Sequence, residues 1–455
     1  MSQRHILAVL IVCMLGCVLD SWLRYFQVQT LRVDDLHLPW LIGNWPRAAL
    51  GLLMGVSAWY FLLLHRCAKS LSAMALGAVA LHSISALSLP LTSNDVFSNL
   101  GYGHMSALGL NPYIFAPAAL GNGDKFVAFI ASRWRDSPIV YGPIVTAVCS
   151  AVGRVQNLWG ALLVWKVAML AISLTATVVA YRICRAHFAL EDAPKRFALF
   201  ALAPVATWEL SAQAHNDAIL VLMMVCFIWA ALKGYEWLAI AFIAIAIYAK
   251  FVAAAVLCLY VAMIFRRDRR RAIAMVGVVA AMGVALMLPY WEGPATLRGP
   301  LLTLGGDSSR TSRSLADLAA WGVLPFGVEA QNIVYKVLWP GGFACLAYLG
   351  VRAILVVRSV HDVTRHGLII LGAYCLVATP WFQPWYVTWL LPLALVERDS
   401  RLRHVVAIYA ALTPVQYIMP LDPATTVLID VIVIHKYLRF CSAKPFGYDN
   451  AALSA

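Results

Sequence analysis

Charge is scarce in this chain. Only 13% of its 455 residues are Asp, Glu, Lys or Arg, about half the share usual in a soluble domain. With 62% apolar residues and a mean hydropathy of +0.77, the polar surface cannot cover a water-soluble fold, so most of the length must be solvated by lipid. Paired cysteines are missing as well. The ten cysteines lie in apolar runs or beside basic clusters, and no CxxC pairs with a second CxxC or with spaced histidines, which excludes a disulfide framework and a structural zinc site. No A-x-A site follows the N-terminal apolar run; it is expected to be a membrane helix, although Met14-Leu15-Gly16-Cys17 faintly resembles a lipoprotein cleavage site. There is no internal repeat and no matched pair of Gly/Pro-broken helices, the pattern of secondary transporters.

Long apolar runs are what the sequence has in abundance. Fourteen are predicted to form membrane helices: residues 5–26, 47–65, 70–91, 158–181, 195–211, 216–233, 236–250, 251–265, 272–290, 335–357, 366–380, 384–396, 404–419 and 424–440. They imply an all-α, polytopic transmembrane helical bundle of about 13–14 helices. The net charge of +13 reads as an orientation signal and not as a nucleic-acid footprint, because Lys and Arg collect in cytoplasmic loops. Basic clusters at 65–69, 233, 266–271 and 358–365 then lie inside together with both termini, in a bacterial-type inner or plasma membrane. By the same parity the segments 92–143, 209–217, 291–332 and 381–386 face outward. The apolar stretch 143–154 is too short to cross, and it is expected to dip in and return. Asp20 and Asp430 are carboxylates within helices, but Asp20 is near a helix end and Asp430 is close to Thr425, Thr426 and His435.

Five polar motifs occupy the outward segments. Asp95, in Asn94-Asp95-Val96-Phe97-Ser98, follows directly on a membrane helix. A carboxylate partly desolvated at the water–lipid boundary suits a general base, and a helix N-cap is the equally weighted alternative. Behind it come Tyr102 and the run Gly109-Leu110-Asn111-Pro112-Tyr113. Arg133 and Arg135 flank Trp134 as a forked donor array apt for a lipid-tethered phosphate, or as part of an interfacial amphipathic helix over 124–134; Tyr141-Gly142-Pro143 follows. His215-Asn216-Asp217 opens a helix, either as caps or with His215 donating to an anion, and Lys250 closes an apolar run where a cation needs a partner or an anionic ligand. The loop 305–314, with Arg310 and Arg313, has the composition of a phosphate or sugar cradle and equally of a plain linker. Trp385 and Tyr386 belong to an aromatic run at 380–389, an interfacial belt or a sugar-stacking platform.

In order and spacing, Asn94-Asp95 with Gly101, Gly-Leu-Asn-Pro-Tyr at 109–113, Arg-Trp-Arg-Asp-Ser-Pro at 133–138 with Tyr-Gly-Pro at 141–143, Ala-His-Asn-Asp-Ala at 214–218 and Pro-Trp-Tyr-x-x-Trp at 384–389 resemble the polyprenol-phosphate-mannose-dependent α-1,6-mannosyltransferases. These are integral-membrane glycosyltransferases of the GT-C fold class, and the likeness runs from about residue 92 to 396. The family pattern carries Arg where this chain has Asn94 and Asp where it has Asn111. The resemblance implies an inverting transferase that moves a hexose, mannose first, from a polyprenyl-phosphate sugar to an acceptor glycan or glycolipid at the outer face of the lipid bilayer. It implies Asp95 as the general base, Arg133, Arg135, His215, Lys250, Arg310 and Arg313 around the donor phosphate, and Tyr102, Asn111, Tyr113, Tyr141, Asn216, Asp217, Trp385 and Tyr386 around sugar and acceptor. The whole chain, 1–455, is then one integral-membrane domain with an outer catalytic loop at 92–143, an outer substrate loop at 291–334, outer-face re-entrant or amphipathic helices and C-terminal helices over 397–455. No cofactor and no nucleic acid are expected. A divalent metal at Asp95, Asp136 or Asp217 has no ligand cluster of suitable spacing behind it. The competing readings are a transporter or flippase of a lipid-linked sugar, which favours midplane charges and pseudo-symmetric halves, a lipid-linked glycan polymerase or ligase, and a non-catalytic scaffold.

Overall fold

The computed structural model describes residues 2–30, 47–121, 123–302, 319–320, 322–379, 382–417, 433 and 435. Among them every regular element is helical and no strand occurs, which makes the protein an all-α, multi-spanning bundle. Among the described residues five helices are long and apolar enough to cross a membrane, including Gln3–Tyr25, Leu158–His187 and Val328–Val356, alongside shorter apolar helices. Thirteen of the fourteen expected spans overlap helical segments. The remaining one, 424–440, lies outside the described residues apart from Val433 and His435, and so does the loop 305–314.

In chain order the main helices are α1 (Gln3–Thr30), α2 (Arg47–Cys67), α3 (Leu71–Ala86), α4 (Asp95–Ala107), α5 (Pro143–Val152), α6 (Leu158–His187), α7 (Ala193–Ala201), α8 (Asp217–Leu232), α9 (Glu236–Ala249), α10 (Ala254–Phe265), α11 (Arg269–Met287), α12 (Val328–Val356), α13 (Val360–Ala373), α14 (Leu391–Val396) and α15 (Ser400–Leu412). The central helix α8 is apolar on every side and mostly buried. At the periphery, α11 and α12 expose Ile273, Val276, Val284, Ile333, Val337 and Val351, as helices facing lipid do.

Two expected helices stop early, each ahead of a proline. The run 70–91 leaves the helix after Ala86, because Pro90 cannot continue an i→i−4 ladder, and residues 87–94 form an irregular connector. The run 195–211 breaks before Pro204 and resumes as a π-helical turn, Ala206–Ala212. A helix over 124–134 is also absent. Asp124 caps the single turn Lys125–Ala128, and a second turn, Ser132–Arg135, follows after a break. The expected short helix after Pro143 is present as α5, whose ten residues measure roughly 15 Å, half of what a crossing needs.

Charged loops gather at one end of the bundle. Arg196 donates to the carbonyls of Leu395 (3.0 Å) and Glu397 (2.6 Å), Arg403 reaches Asp192 at 3.1 Å, Arg365 reaches Glu397 at 3.2 Å and Arg66 meets His404. The motif-bearing segments lie at the other end, where α7 and the π-helical turn lead away from that cluster. There α4 and α5 touch backbone to backbone: a Cβ on Gly103 would stand 2.1 Å from the Cys149 carbonyl oxygen.

That contact leaves no room for a methyl group, so Gly103→Ala must push α4 and α5 apart and is expected to cost about 1–3 kcal/mol of stability. Thermal unfolding in detergent checks this against Gly55→Ala in the middle of α2, whose Cβ meets nothing within 4 Å and which should leave the midpoint unchanged or slightly raised.

Candidate active site

Asp95 is delivered by the irregular connector, and one side chain holds that connector in place. The Gln213 side-chain oxygen accepts the backbone N–H groups of Leu91 (3.0 Å), Thr92 (3.0 Å) and Ser93 (3.3 Å). Trp208 adds an indole N–H bond to the Thr92 hydroxyl, and Ser21 on α1 accepts from Leu89. Asn94 takes the N-cap position of α4 without a capping bond from its side chain, while Asp95 occupies the first turn and donates its own N–H to Ser93 Oγ. The Asp95 carboxylate is therefore not used as a cap. It faces His215 instead, with Oδ2 3.9 Å from Nδ1. Burial pushes the Asp95 carboxyl up to about 6, the neighbouring Lys250 opposes that shift and Asp217 adds to it.

Around Asp95 the motifs converge from four parts of the chain. Lys250, in the break between α9 and α10, places Nζ 2.6 Å from Asp217 Oδ2 at the start of α8. The other Asp217 oxygen accepts the Trp389 indole N–H, so this fully buried carboxylate has both a cation and a donor, as burial of a charge requires. Tyr141 and Trp389 present ring faces to the ammonium at 5.3 and 5.8 Å. Trp385 stacks on the His215 imidazole with centroids 3.9 Å apart, and Tyr386 stacks on Trp389 at 4.1 Å. The hydrogen bond from the Gly142 N–H to the Ala249 carbonyl fastens the Tyr141 loop beside Lys250.

The π-helical turn supplies the rest. Ala214 has φ +53°, the left-handed region, and is the only described non-glycine residue there. That reversal lets the His215 N–H return to the Glu209 carbonyl at 3.0 Å, and Trp165 donates to the Ala214 carbonyl. It also sets His215 Nε2 3.4 Å from Glu209 Oε2, in the interior of the bundle. Burial first, and Lys250 second, hold the His215 imidazole well below its usual range, which favours the neutral ring.

Of the residues singled out from sequence, Asp95, Tyr141, His215, Asp217, Lys250, Trp385 and Tyr386 come together. Asn216 supports them by donating to Asn99 on α4. Tyr102 and Tyr113 are buried structural ties, bonding the carbonyls of Ser137 and Tyr141, while Asn111 clasps Tyr290 and Glu292. Arg135 does not join the group, because its guanidinium is taken up by the carbonyls of Ile130 and Ala128. Arg133 lies in the turn Ser132–Arg135 with its side chain outside the described residues, as are Arg310 and Arg313. Sequence reasoning passed over Gln213, Asn99 and Glu209. For Glu209 a signal existed: an acidic residue inside an apolar run is a functional candidate by default. No group of three or more His, Cys, Asp or Glu is arranged to hold a metal among the described residues.

A carboxyl poised near neutrality, a neutral imidazole, a buried ion pair and several ring faces form a site suited to hydroxyl deprotonation beside an anionic, ring-bearing ligand. A family model described as alpha-(1->6)-mannopyranosyltransferase, N-terminal domain, matches residues 9–267. Alpha-(1->6)-mannopyranosyltransferase B of Corynebacterium glutamicum is 24% identical over 343 residues, which cover 68% of this chain and 56% of that protein. An alpha-(1->6)-mannopyranosyltransferase of Mycobacterium tuberculosis is 29% identical over 150 residues, 32% of this chain and 25% of the relative. The chain thus spans about half of the first relative and a quarter of the second. Because the matched segment is more than half of the sequence and contains Asp95, Gln213, His215, Asp217 and Lys250, the chain belongs to the alpha-(1->6)-mannopyranosyltransferase family.

Proposed function

We propose that this protein transfers a hexose, mannose first among them, from a polyprenyl-phosphate sugar to a hydroxyl of an acceptor glycan or glycolipid, with inversion at the anomeric carbon and Asp95 as general base. The observation that carries the reading is the Asp95 carboxyl, raised to about 6 and set beside the Lys250–Asp217 pair under a wall of aromatic rings. In the reaction the acceptor oxygen bonds to the anomeric carbon as its proton passes to Asp95. The bond from that carbon to the phosphate oxygen breaks, and polyprenyl phosphate leaves with the electron pair. One carboxylate is enough for such a displacement, since no glycosyl-enzyme intermediate is formed. Lys250 stabilises the charge that grows on the leaving phosphate in a dry site, where electrostatic stabilisation is strongest. Tyr141, Trp385 and Tyr386 supply faces for the sugar. The extracytoplasmic placement of this end is supported by the basic loops gathered at the opposite end.

The test is transfer from a radiolabelled short-chain polyprenyl-phosphate mannose to an oligomannoside acceptor by purified protein in nanodiscs. Asp95→Asn is expected to lose about 10²- to 10⁴-fold in rate with donor binding retained, and a variant as fast as the wild type would end the base assignment. Because the base must be ionised, the rate should fall about tenfold per pH unit below about 6 and level off above it, which a pH profile of kcat/KM reads directly. Lys250→Met leaves Asp217 buried without its cation, so it should weaken donor use and lower stability by about 3–5 kcal/mol. Adding Asp217→Asn should restore the thermal midpoint without restoring donor affinity.

A further inference from the structure

We infer that Glu209 and His215 are positioning residues for the base: Glu209 holds the imidazole in its Nε2–H tautomer, so that Nδ1 offers a lone pair to the proton Asp95 acquires. The inference rests on the transfer reading given above. Three groups lie in file, Asp95 Oδ2 to His215 Nδ1 at 3.9 Å and His215 Nε2 to Glu209 Oε2 at 3.4 Å. Their exposure falls along the file from 15% at Asp95 through 3% at His215 to none at Glu209, so of the three Asp95 is the one open to solvent.

The inequality of the two distances carries information about the proton. A neutral imidazole has one N–H, and Nε2, buried without a hydrogen-bond partner among the described residues and 3.4 Å from a Glu209 carboxyl oxygen, is the ring nitrogen nearer to an acceptor. The longer separation then sets a lone pair against ionised Asp95, an arrangement without a hydrogen bond. When Asp95 takes the hydroxyl proton, its O–H gains an acceptor at Nδ1. The bond forms only after proton transfer has begun, which makes it a contribution to the transition state and not to the resting enzyme. No proton travels beyond Asp95 in this scheme.

The ring has little freedom to do otherwise. Trp385 stacks on one face, and the backbone is fixed by the left-handed Ala214 and by the bond from the His215 N–H to the Glu209 carbonyl. Among the charged and titratable groups of the neighbouring elements, the phenols of Tyr102, Tyr141 and Tyr386 lie within electrostatic reach of Asp95. Lys166 of α6 donates to the Ser211 and Ala212 carbonyls. His82 of α3 is engaged by Ser211 Oγ and the Ala201 carbonyl. Asp217 and Lys250 are paired with each other.

Glu209→Gln tests this. Its amide N–H₂ can donate to Nε2, turning the imidazole over so that Nδ1–H faces Asp95 and favours the carboxylate. The expected result is a plateau kcat lower by about tenfold or more, an acid limb displaced below that of the wild type and an unchanged KM for donor, with Glu209→Asp recovering both limb and plateau. A merely structural glutamate would lower the thermal midpoint without moving the limb. Wild-type kcat and acid limb in Glu209→Gln would overturn the proposal. Imidazole ¹⁵N shifts of His215 decide it separately from turnover: Nε2–H in the wild type and Nδ1–H in Glu209→Gln are expected, and Nδ1–H in the wild type would overturn it. A wild-type preparation without transfer would count against the reaction proposed above, whereas the tautomer would still report on Glu209.

Discussion

Three consecutive backbone N–H groups converging on the side-chain oxygen of Gln213 are the constraint on which this end of the bundle depends. The connector after α3 has left its helix and cannot pair with a strand, so its donors need an acceptor from elsewhere, and each one left buried and unpaired would cost about 1–3 kcal/mol. One amide oxygen supplies all three. Gln213 also closes the π-helical turn by donating its own N–H to the Trp208 carbonyl at 2.8 Å. The same residue therefore fixes where Asp95 enters the pocket and where Glu209, His215 and Asp217 leave the turn. The relative placement of base, imidazole and ion pair is set through a single side chain.

Irregular backbone inside a membrane protein is tolerated only where the protein itself satisfies it. Here the freed carbonyls are met by side chains of matching polarity. Lys166 covers Ser211 and Ala212, His82 covers Ala201, and at the far end Arg196 and Arg403 cover carbonyls around residues 395–398. Arg196 and Arg403 also meet Asp192, so these buried cations divide their donors between backbone and a carboxylate, whereas the Lys250 ammonium meets Asp217 and the ring faces of Tyr141 and Trp389 beside Asp95.

Much of this was legible in the sequence, for identifiable reasons. Apolar runs long enough to fill a bilayer declare themselves, and so α6, α8 and α9 start within a residue of their expected bounds. The motif residues Asp95, His215, Asp217 and Lys250 are polar where the surroundings are not, which made them visible one by one. Their meeting was not visible, since it depends on π-helical backbone that no periodicity announces. Glu209 hid within a run read as uninterrupted helix. Arg135 looked like a phosphate ligand because sequence gives a guanidinium's presence and not its partner, and here the partner is local backbone. Pro90 and Pro204 were the signals that two helices would stop short.

The break that carries Lys250 sets a depth as well as a charge. It joins α9, of fourteen residues, to α10, of twelve, so the turn stands roughly 21 Å from the charged end, where a hydrocarbon core measures roughly 30 Å. By contrast α6, with thirty residues, spans the full thickness and more. The break is therefore set back by several ångströms from the length of a full crossing. Under the transfer proposed above, that recess favours a phosphate tethered in the lipid over a dissolved one, which would have to shed its hydration shell to reach the same depth.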